Sequence, residues 1–345
     1  MIKVGVLITT YNRKQFLMLA LGSVLDQTHP ELEIIVIDNG STDGTAELIA
    51  SVTDPRVRYV VNELNLGMAG SINKGIPFFS KEVEWCTILS DDDLLDRNYL
   101  LNLIARFSTS KTKSVIDSHR IFIDEQGKKI REARPSPCEE SAFEYLNQRS
   151  RNIRETYLTG VLFKRTAFQK IGGYPVFSTG LGSDDAFIFA LAMQDQLVFE
   201  SSAIASIRIH KGAESRSAAD GINKLETIKE FISYCFSVAH KFGNITSEQE
   251  RSFVRTLERY RMNLNSYWWR SAVHAALDQN HDKNNEELTK LRSRVSEDRH
   301  AFSRRIRFNV FLEDRTKHNP ESCRIYRASG KIIDYILFLV RNRLP

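Results

Sequence analysis

The sequence predicts an α/β fold with a mostly parallel central sheet flanked by helices, followed by a helical C-terminal extension. Three observations predict it. Short apolar, β-branched runs alternate with helix-spaced segments through the first hundred residues. Two acidic clusters stand beside such apolar runs, Ser90-Asp91-Asp92-Asp93 and Gly182-Ser183-Asp184-Asp185. Beyond Asp220 the strand pattern stops and helical spacing takes over.

Val4 to Thr9 is short, apolar and β-branched, which suits a buried strand. Tyr11-Asn12-Arg13 breaks it. From Lys14 to Leu25, Phe16, Leu17, Ala20, Leu21 and Val24 fall on one helical face. Glu33–Ile37 is a second strand, ending in the turn chemistry of Asp38-Asn39-Gly40-Ser41, and Thr45–Ser51 is a short helix. Val57–Val61, Gly67–Phe79 and Cys86–Leu89 continue the alternation as strand, helix and strand. Ser114–Ile123 is a further strand before a turn at Asp124–Gly127, and residues 131–140 read as a surface loop. A strand at Val161–Phe163 precedes a helix at Arg165–Ile171, closed by Gly172-Gly173. Ala203–Ile209 is the last strand, and helices are expected at Leu225–Phe242, Ser247–Ala276 and Asn284–Phe302. The domains expected are 1–218, with halves 1–100 and 101–218, and a basic helical region 219–345.

At 345 residues, 42% hydrophobic and 26% charged, the composition is that of an ordinary globular chain. The net charge of +5 is unevenly spread, with 23 Lys/Arg against 16 Asp/Glu from residue 220 onward. The arginines of that region lack interleaved stacking aromatics, which argues against nucleic acid as a partner. The four cysteines form no C-x-x-C pair, so a zinc or dithiol site is not expected, and free thiols in a reducing cytoplasm are. No long apolar leader follows Met1, and no run approaches the roughly 20 apolar residues that span a bilayer. The tail from Ile332 to Arg343 is apolar with basic flanks. It reads as an interfacial segment on anionic lipid, as a helix docked on the catalytic domain, or as a homodimer contact. The expected location is the cytoplasm, with peripheral contact at the inner membrane face as one option.

Adjacent carboxylates repel and lose hydration, so they persist where a cation or a proton uses them. Asp91–Asp93 follow a buried strand and read as a metal clamp for a diphosphate. Asp184-Asp185 precede the apolar stretch 186–192 and read as the site of a general base, with a helix-capping acid pair as the alternative. In parallel sheets, ligands sit beyond the carboxyl ends of the strands, which places Asp38 and Asp91–Asp93 in one crevice.

Val6–Arg13, Val36–Gly44, Asn65-Leu66-Gly67 and the Asp91 cluster, taken in order, resemble the family-2 inverting glycosyltransferases of the GT-A fold. The resemblance is dense over residues 4–96 and looser to about residue 215. It implies a Rossmann-like half that binds a nucleotide-diphosphate sugar, a Mn²⁺ or Mg²⁺ ion, and a hydroxyl acceptor on a glycan or lipid carrier. By resemblance, Thr9, Tyr11, Asp38 and Asp43 surround the nucleotide, and Asn65, Gly67, Asp91 and Asp92 contact the donor. Asp91, Asp93 and His210 hold the metal, Gly160 and Asp184 line the acceptor side, and Asp185 is the catalytic base. Lys211 and Arg216 would add charge on a loop over the donor. Two departures stand out. Ile72 replaces an arginine common in the family, and Ser90 replaces an acid. The role implied is bacterial surface polysaccharide synthesis. A sugar-phosphate nucleotidyltransferase and an inactive nucleotide- or glycan-binding protein are the alternatives.

Overall fold

Lys3–Thr10 forms β1, the strand on which the fold is built; every residue after Lys3 except Val4's neighbour Gly5 carries a side chain into the packed interior or the site, and Val4, Val6, Leu7 and Ile8 are fully buried. Burial on both faces is why the run is continuously apolar rather than alternating. β2 (Leu32–Asp38) and β4 (Val83–Ser90) flank β1 in parallel, and β3 (Val57–Val61) pairs in parallel with β2. The computed structural model describes residues 2–109, 114–210 and 221–278.

Four more strands complete the path. β6 (Val115–Ile123) and β10 (Leu197–Arg208) run parallel to each other, and β9 (Val161–Lys164) lies antiparallel between β4 and β6. Two-residue β5 (Leu94–Leu95) pairs with β10, giving the order β3-β2-β1-β4-β9-β6-β10-β5. Short β7 (Lys129–Glu132) and β8 (Glu139–Glu140) pair with β6 and β10, so residues 131–140 are partly strand rather than wholly loop. The sheet is thus parallel where the first four strands meet, and mixed beyond β4.

Helix α1 (Lys14–Leu25) buries Leu17, Ala20, Leu21 and Val24, the face its spacing predicts. α2 (Thr45–Ala50) follows β2, and α3 (Gly67–Gly75) passes into a single 3₁₀ turn at Ile76–Phe78, where Pro77 cannot continue an α-helical ladder. α4 spans Tyr99–Thr109. α5 (Ala142–Ser150) starts with a capping box, in which Ser141 Oγ accepts from the Glu144 N–H and the Glu144 carboxylate accepts from the Ser141 N–H. α6 (Arg165–Ile171) ends at Gly172, whose φ is +88°. α7 (Ser183–Ala192) is buried over nearly its whole circumference, which accounts for the unbroken apolar run at 186–192.

The C-terminal helices are α8 (Gly221–Phe242) and α9 (Ser247–Asp278). The chain divides into one compact unit, Met1–Tyr260, and a second, Arg261–Pro345. The boundary expected at residues 218 and 219 therefore falls inside the first unit, which includes α8 and the first half of α9. A buried ionic lattice joins β6 to the segment after α5. Asp117 lies between Arg120 and Arg154, and Arg154 also reaches Glu140 at 3.0 Å, with all four side chains almost inaccessible. The expected helix at 284–302, the arginine-rich stretch and the apolar tail lie outside the described residues. Among the described residues, no helix is long and apolar enough to cross a membrane.

Candidate active site

β4 delivers its acidic turn at the end of the sheet where β1 and β2 also finish. The three acids have different surroundings. Asp91 is buried and accepts from Thr10 Oγ1 at 2.8 Å and from Arg13 Nη1 at 3.2 Å. Burial and the neighbouring Asp92 charge push its carboxyl up to about 6. Asp93 is also buried and accepts from the Arg208 N–H at 2.9 Å and from the Thr159 hydroxyl. Burial, then Asp92, push Asp93 up to about 8. Asp92 is the accessible member. Its Oδ2 lies 2.9 Å from His210 Nε2 and 3.0 Å from Arg13 Nη1.

His210 follows β10, with its ring centroid 5.2 Å from that of Phe16 on α1. Arg208, two residues earlier, holds the turn from behind. Its Nε donates to the Asp92 carbonyl, and its Nη1 donates to the carbonyls of Asp124 and Glu125. Among the described residues, no three or more His, Cys, Asp or Glu side chains converge as a closed metal cage. Asp92 Oδ2 and His210 Nε2 do face one another, and both are suitable ligand atoms for Mn²⁺. Ions of this class fill their other positions with water and substrate phosphate oxygens, so two side chains fit one. Asp91 and Asp93, expected as ligands together with His210, accept hydrogen bonds from Thr10, Arg13 and the Arg208 N–H.

At the end of β2, Asp38 is 1% exposed. Its Oδ1 accepts from Ser41 N and Oγ, and its Oδ2 accepts from Tyr59 Oη at 2.5 Å. Asp38 therefore braces the loop after β2. Asp43 accepts from the Lys14 N–H and from Thr45 N and Oγ1, which ties the starts of α1 and α2 together. The hydrogen bonds from Lys14 and Thr45 outweigh burial and hold its carboxyl below the usual range. Asn12, at φ +53°, accepts from the Thr42 N–H and so joins this loop to the one after β1. Asn65 Oδ1 accepts from the Gly67 N–H in a local turn before α3. Thr9 is buried, whereas Tyr11 stands 46% exposed at the mouth of the crevice.

The second acidic pair divides more sharply. Asp185 is 3% exposed. Arg149 Nε donates to its Oδ1 at 2.7 Å and Nη2 to its Oδ2 at 2.8 Å, a bidentate pair. Tyr145 Oη donates to Oδ1, and Tyr260 Oη on α9 donates to Oδ2. Burial pushes this carboxyl up, but Arg149 and the tyrosines overcome it and leave it below its ordinary value. The expected base is thus fixed by four donated hydrogen bonds from α5 and α9.

Asp184 faces the other way. Tyr174 Oη donates to its Oδ1 at 2.5 Å, and the Leu158 backbone N–H also reaches it. Burial, against the Tyr174 bond and with the Asp185 charge, raises its carboxyl above the usual range. Although surrounded by protein, Asp184 is less enclosed than Asp185 and keeps part of its surface open. Tyr174 is in turn held by Asn73 of α3. Asn73 Nδ2 donates to the Tyr174 carbonyl at 2.9 Å, and Asn73 Oδ1 accepts from the Tyr174 N–H at 2.7 Å. Gly173, at φ +100°, permits this approach, since a Cβ there would lie 2.5 Å from Asn73 Oδ1.

One segment spans both clusters. Leu158 lies beside Asp184, while the next residue, Thr159, lies beside Asp93 and accepts from the Ser90 N–H at 3.2 Å. The acidic turn and Asp184 are therefore near neighbours. Gly160 follows at φ +108°, where a Cβ would meet Ser118 Oγ at 2.8 Å and Arg120 Nε at 2.9 Å. Its place is against the buried arginine behind the crevice. Lys211 and Arg216 lie outside the described residues. Sequence reasoning missed Arg13, Thr159 and the role of Arg149. Arg13 lies inside the Thr9–Arg13 motif and carried a signal, but nothing local marks the other two.

Residues 5–172 match the family model described as Glycosyl transferase family 2. Among curated proteins, an uncharacterized glycosyltransferase of Nostoc sp. is 27% identical over 229 residues, covering 65% of this chain and 70% of that protein. Glycosyltransferase GlyA of Streptococcus pneumoniae is 22% identical over 226 residues, 62% of this chain and 32% of its own. Succinoglycan biosynthesis protein ExoO of Rhizobium meliloti is 30% identical over 111 residues, 32% of this chain and 31% of its own. The matched segments thus span about a third of GlyA and of ExoO. Among solved structures, S. aureus TarS 1–349 in complex with UDP-GlcNAc superposes with a TM-score of 0.55 at 13% identity, over 79% of this chain and 83% of that one. Mannosyltransferase PcManGT from Pyrobaculum calidifontis, in complex with GDP-Man and Mn²⁺, gives 0.53 at 16% identity, over 90% and 84%. These likenesses establish the GT-A fold.

Proposed function

We propose, for a chain whose residues 5–172 form a glycosyl transferase family 2 domain, that it moves a sugar from a nucleotide-diphosphate donor to a hydroxyl acceptor with inversion at the anomeric carbon. The observation that supports this reading is the Leu158–Thr159 step, which lies beside both Asp184 and the acidic turn. Asp184 rather than Asp185 takes the acceptor's proton. It is less enclosed than Asp185, burial raises its carboxyl above the usual range, and it lacks the bidentate arginine that holds Asp185. Asp185 serves as its electrostatic neighbour and as the anchor of α7.

Asp92 and His210 would hold the divalent ion. When bound, that ion supplies positive charge to the departing diphosphate. Asp91 and Asp93 keep the turn in shape through Thr10, Thr159 and the Arg208 backbone. The nucleotide lies against Tyr11 and the loops after β1 and β2, with Asp38 and Asp43 setting loop geometry instead of touching the base. A glycan or lipid-linked acceptor in surface polysaccharide synthesis fits the likeness to the succinoglycan biosynthesis protein.

The test is nucleotide release from UDP-, GDP- and dTDP-sugars with Mn²⁺, comparing wild type, D92A and D184N. Release by wild type, lost in D92A and blocked toward acceptor in D184N, is expected. Formation of a nucleoside triphosphate from pyrophosphate would instead identify a nucleotidyltransferase. Nucleotide binding without any turnover would identify a binding protein.

A further inference from the structure

The acidic turn already contains a cation. Arg13 Nη1 sits 3.2 Å from Asp91 Oδ1 and 3.0 Å from Asp92 Oδ2. His210 Nε2 approaches that same Asp92 oxygen from its own side, at 2.9 Å. Guanidinium and imidazole therefore converge on the one atom that a divalent ion at this turn requires. The Arg13 side chain keeps 28% of its surface exposed, and the residue stands on the short loop between β1 and α1. Its head is therefore close to solvent and to wherever a donor would enter.

Elementary electrostatics sets the sign of the interaction. A guanidinium a few ångströms from a dication repels it, and it also occupies a lone pair that the ion would use. The cost is relieved when the guanidinium finds another anion, and a diphosphate matches its planar fork better than two separate carboxylates do. We infer that Arg13 is a built-in counter-ion that competes with the divalent metal for Asp92 and transfers to the donor's diphosphate when the metal binds. Metal and nucleotide diphosphate consequently bind with positive coupling, each strengthening the other by the same factor. The inference rests on the placement of the metal at Asp92 and His210.

The test is Mn²⁺ binding to the full-length protein, read as loss of the free-ion electron paramagnetic resonance signal. It is run with Mn²⁺ alone, with Mn²⁺ plus UDP, and with Mn²⁺ plus GDP. R13Q should bind Mn²⁺ alone roughly tenfold more tightly than wild type, the scale of one charge interaction partly screened by solvent. R13K, which keeps the charge, should stay within about threefold of wild type. The gain in Mn²⁺ affinity on adding nucleotide should be smaller in R13Q than in wild type. R13M repeats the measurement should R13Q lose its circular dichroism spectrum. Equal or weaker Mn²⁺ binding by R13Q, or an undiminished nucleotide gain, overturns the inference. D92A separates the two levels of the argument: retained Mn²⁺ binding in D92A overturns the metal placement itself, whatever Arg13 does.

Discussion

The two acidic clusters solve the same electrostatic problem in opposite ways. In the turn after β4, Asp91 and Asp93 are buried; Thr10 and the Arg13 guanidinium donate to Asp91, and the Arg208 backbone N–H donates to Asp93. Their protons are correspondingly hard to remove, and the accessible Asp92 lies between them. At the start of α7 the burden falls on one residue. Asp185 takes a bidentate arginine and two tyrosines, whereas a tyrosine holds Asp184. In each cluster the accessible acid owes its position to neighbours that are not accessible. Adjacent carboxylates thus separate into a more and a less enclosed member, and the donors around each set which is which.

The largest effects should come from exchanging these roles. D184N is expected to cut sugar transfer by about 10²–10⁴-fold, the usual contribution of a positioned base. Its urea midpoint should not fall, because the lost carboxyl is one that burial disfavours in its charged form. D185N should do the reverse, losing about 3–5 kcal/mol of stability by stranding a buried guanidinium. A D185N protein as stable as wild type would dissolve the distinction.

Acid unfolding sharpens the same contrast. The folded-state pKa of Asp185 lies below its ordinary value of 3.8, so its ion pair stabilises fully above that value. That stability disappears as pH falls through the folded value. Asp184 has the opposite shift, and its contribution is lost as pH rises from the ordinary value through the raised one. Urea midpoints measured from pH 2 to 7 should therefore drop on the acid side less in D185N than in wild type. Y260F should give the smallest change, about 1.5–3 kcal/mol, as one hydrogen bond to a buried charge is removed while the Arg149 pair remains. A null effect would mean that α9 adds nothing to the anchoring of α7.

Much of the fold is legible in the sequence where burial is two-sided and local chemistry punctuates it. α1, β3 and α6 have the bounds that their spacing predicts, and the Gly172 end of α6 is a glycine stop. α5 was not read, although its Ser141 to Glu144 capping box is a recognisable start signal. Two-residue β5 and β8 have too little sequence to declare themselves. In the site, the acidic clusters were visible and the division within them was not. Asp184 and Asp185 are consecutive on a helix, about 100° apart around its axis, so one turns to the crevice and the other to α5 and α9. Spacing could not choose between them, because the choice depends on Arg149 and Tyr260, 36 and 75 residues away. The same holds for Asp92, whose partner His210 is 118 residues distant.

The Leu158–Thr159 step carries a consequence for how this enzyme can diversify. Because neighbouring residues of one chain lie beside the two acidic clusters, a single peptide unit, about 3.8 Å from one Cα to the next, gauges the spacing of the two. That ruler is covalent, so it does not stretch with sloppy packing or with a changed side chain. Variation elsewhere must be accommodated around that gauge, and an inserted residue within it would shift one acidic cluster against the other.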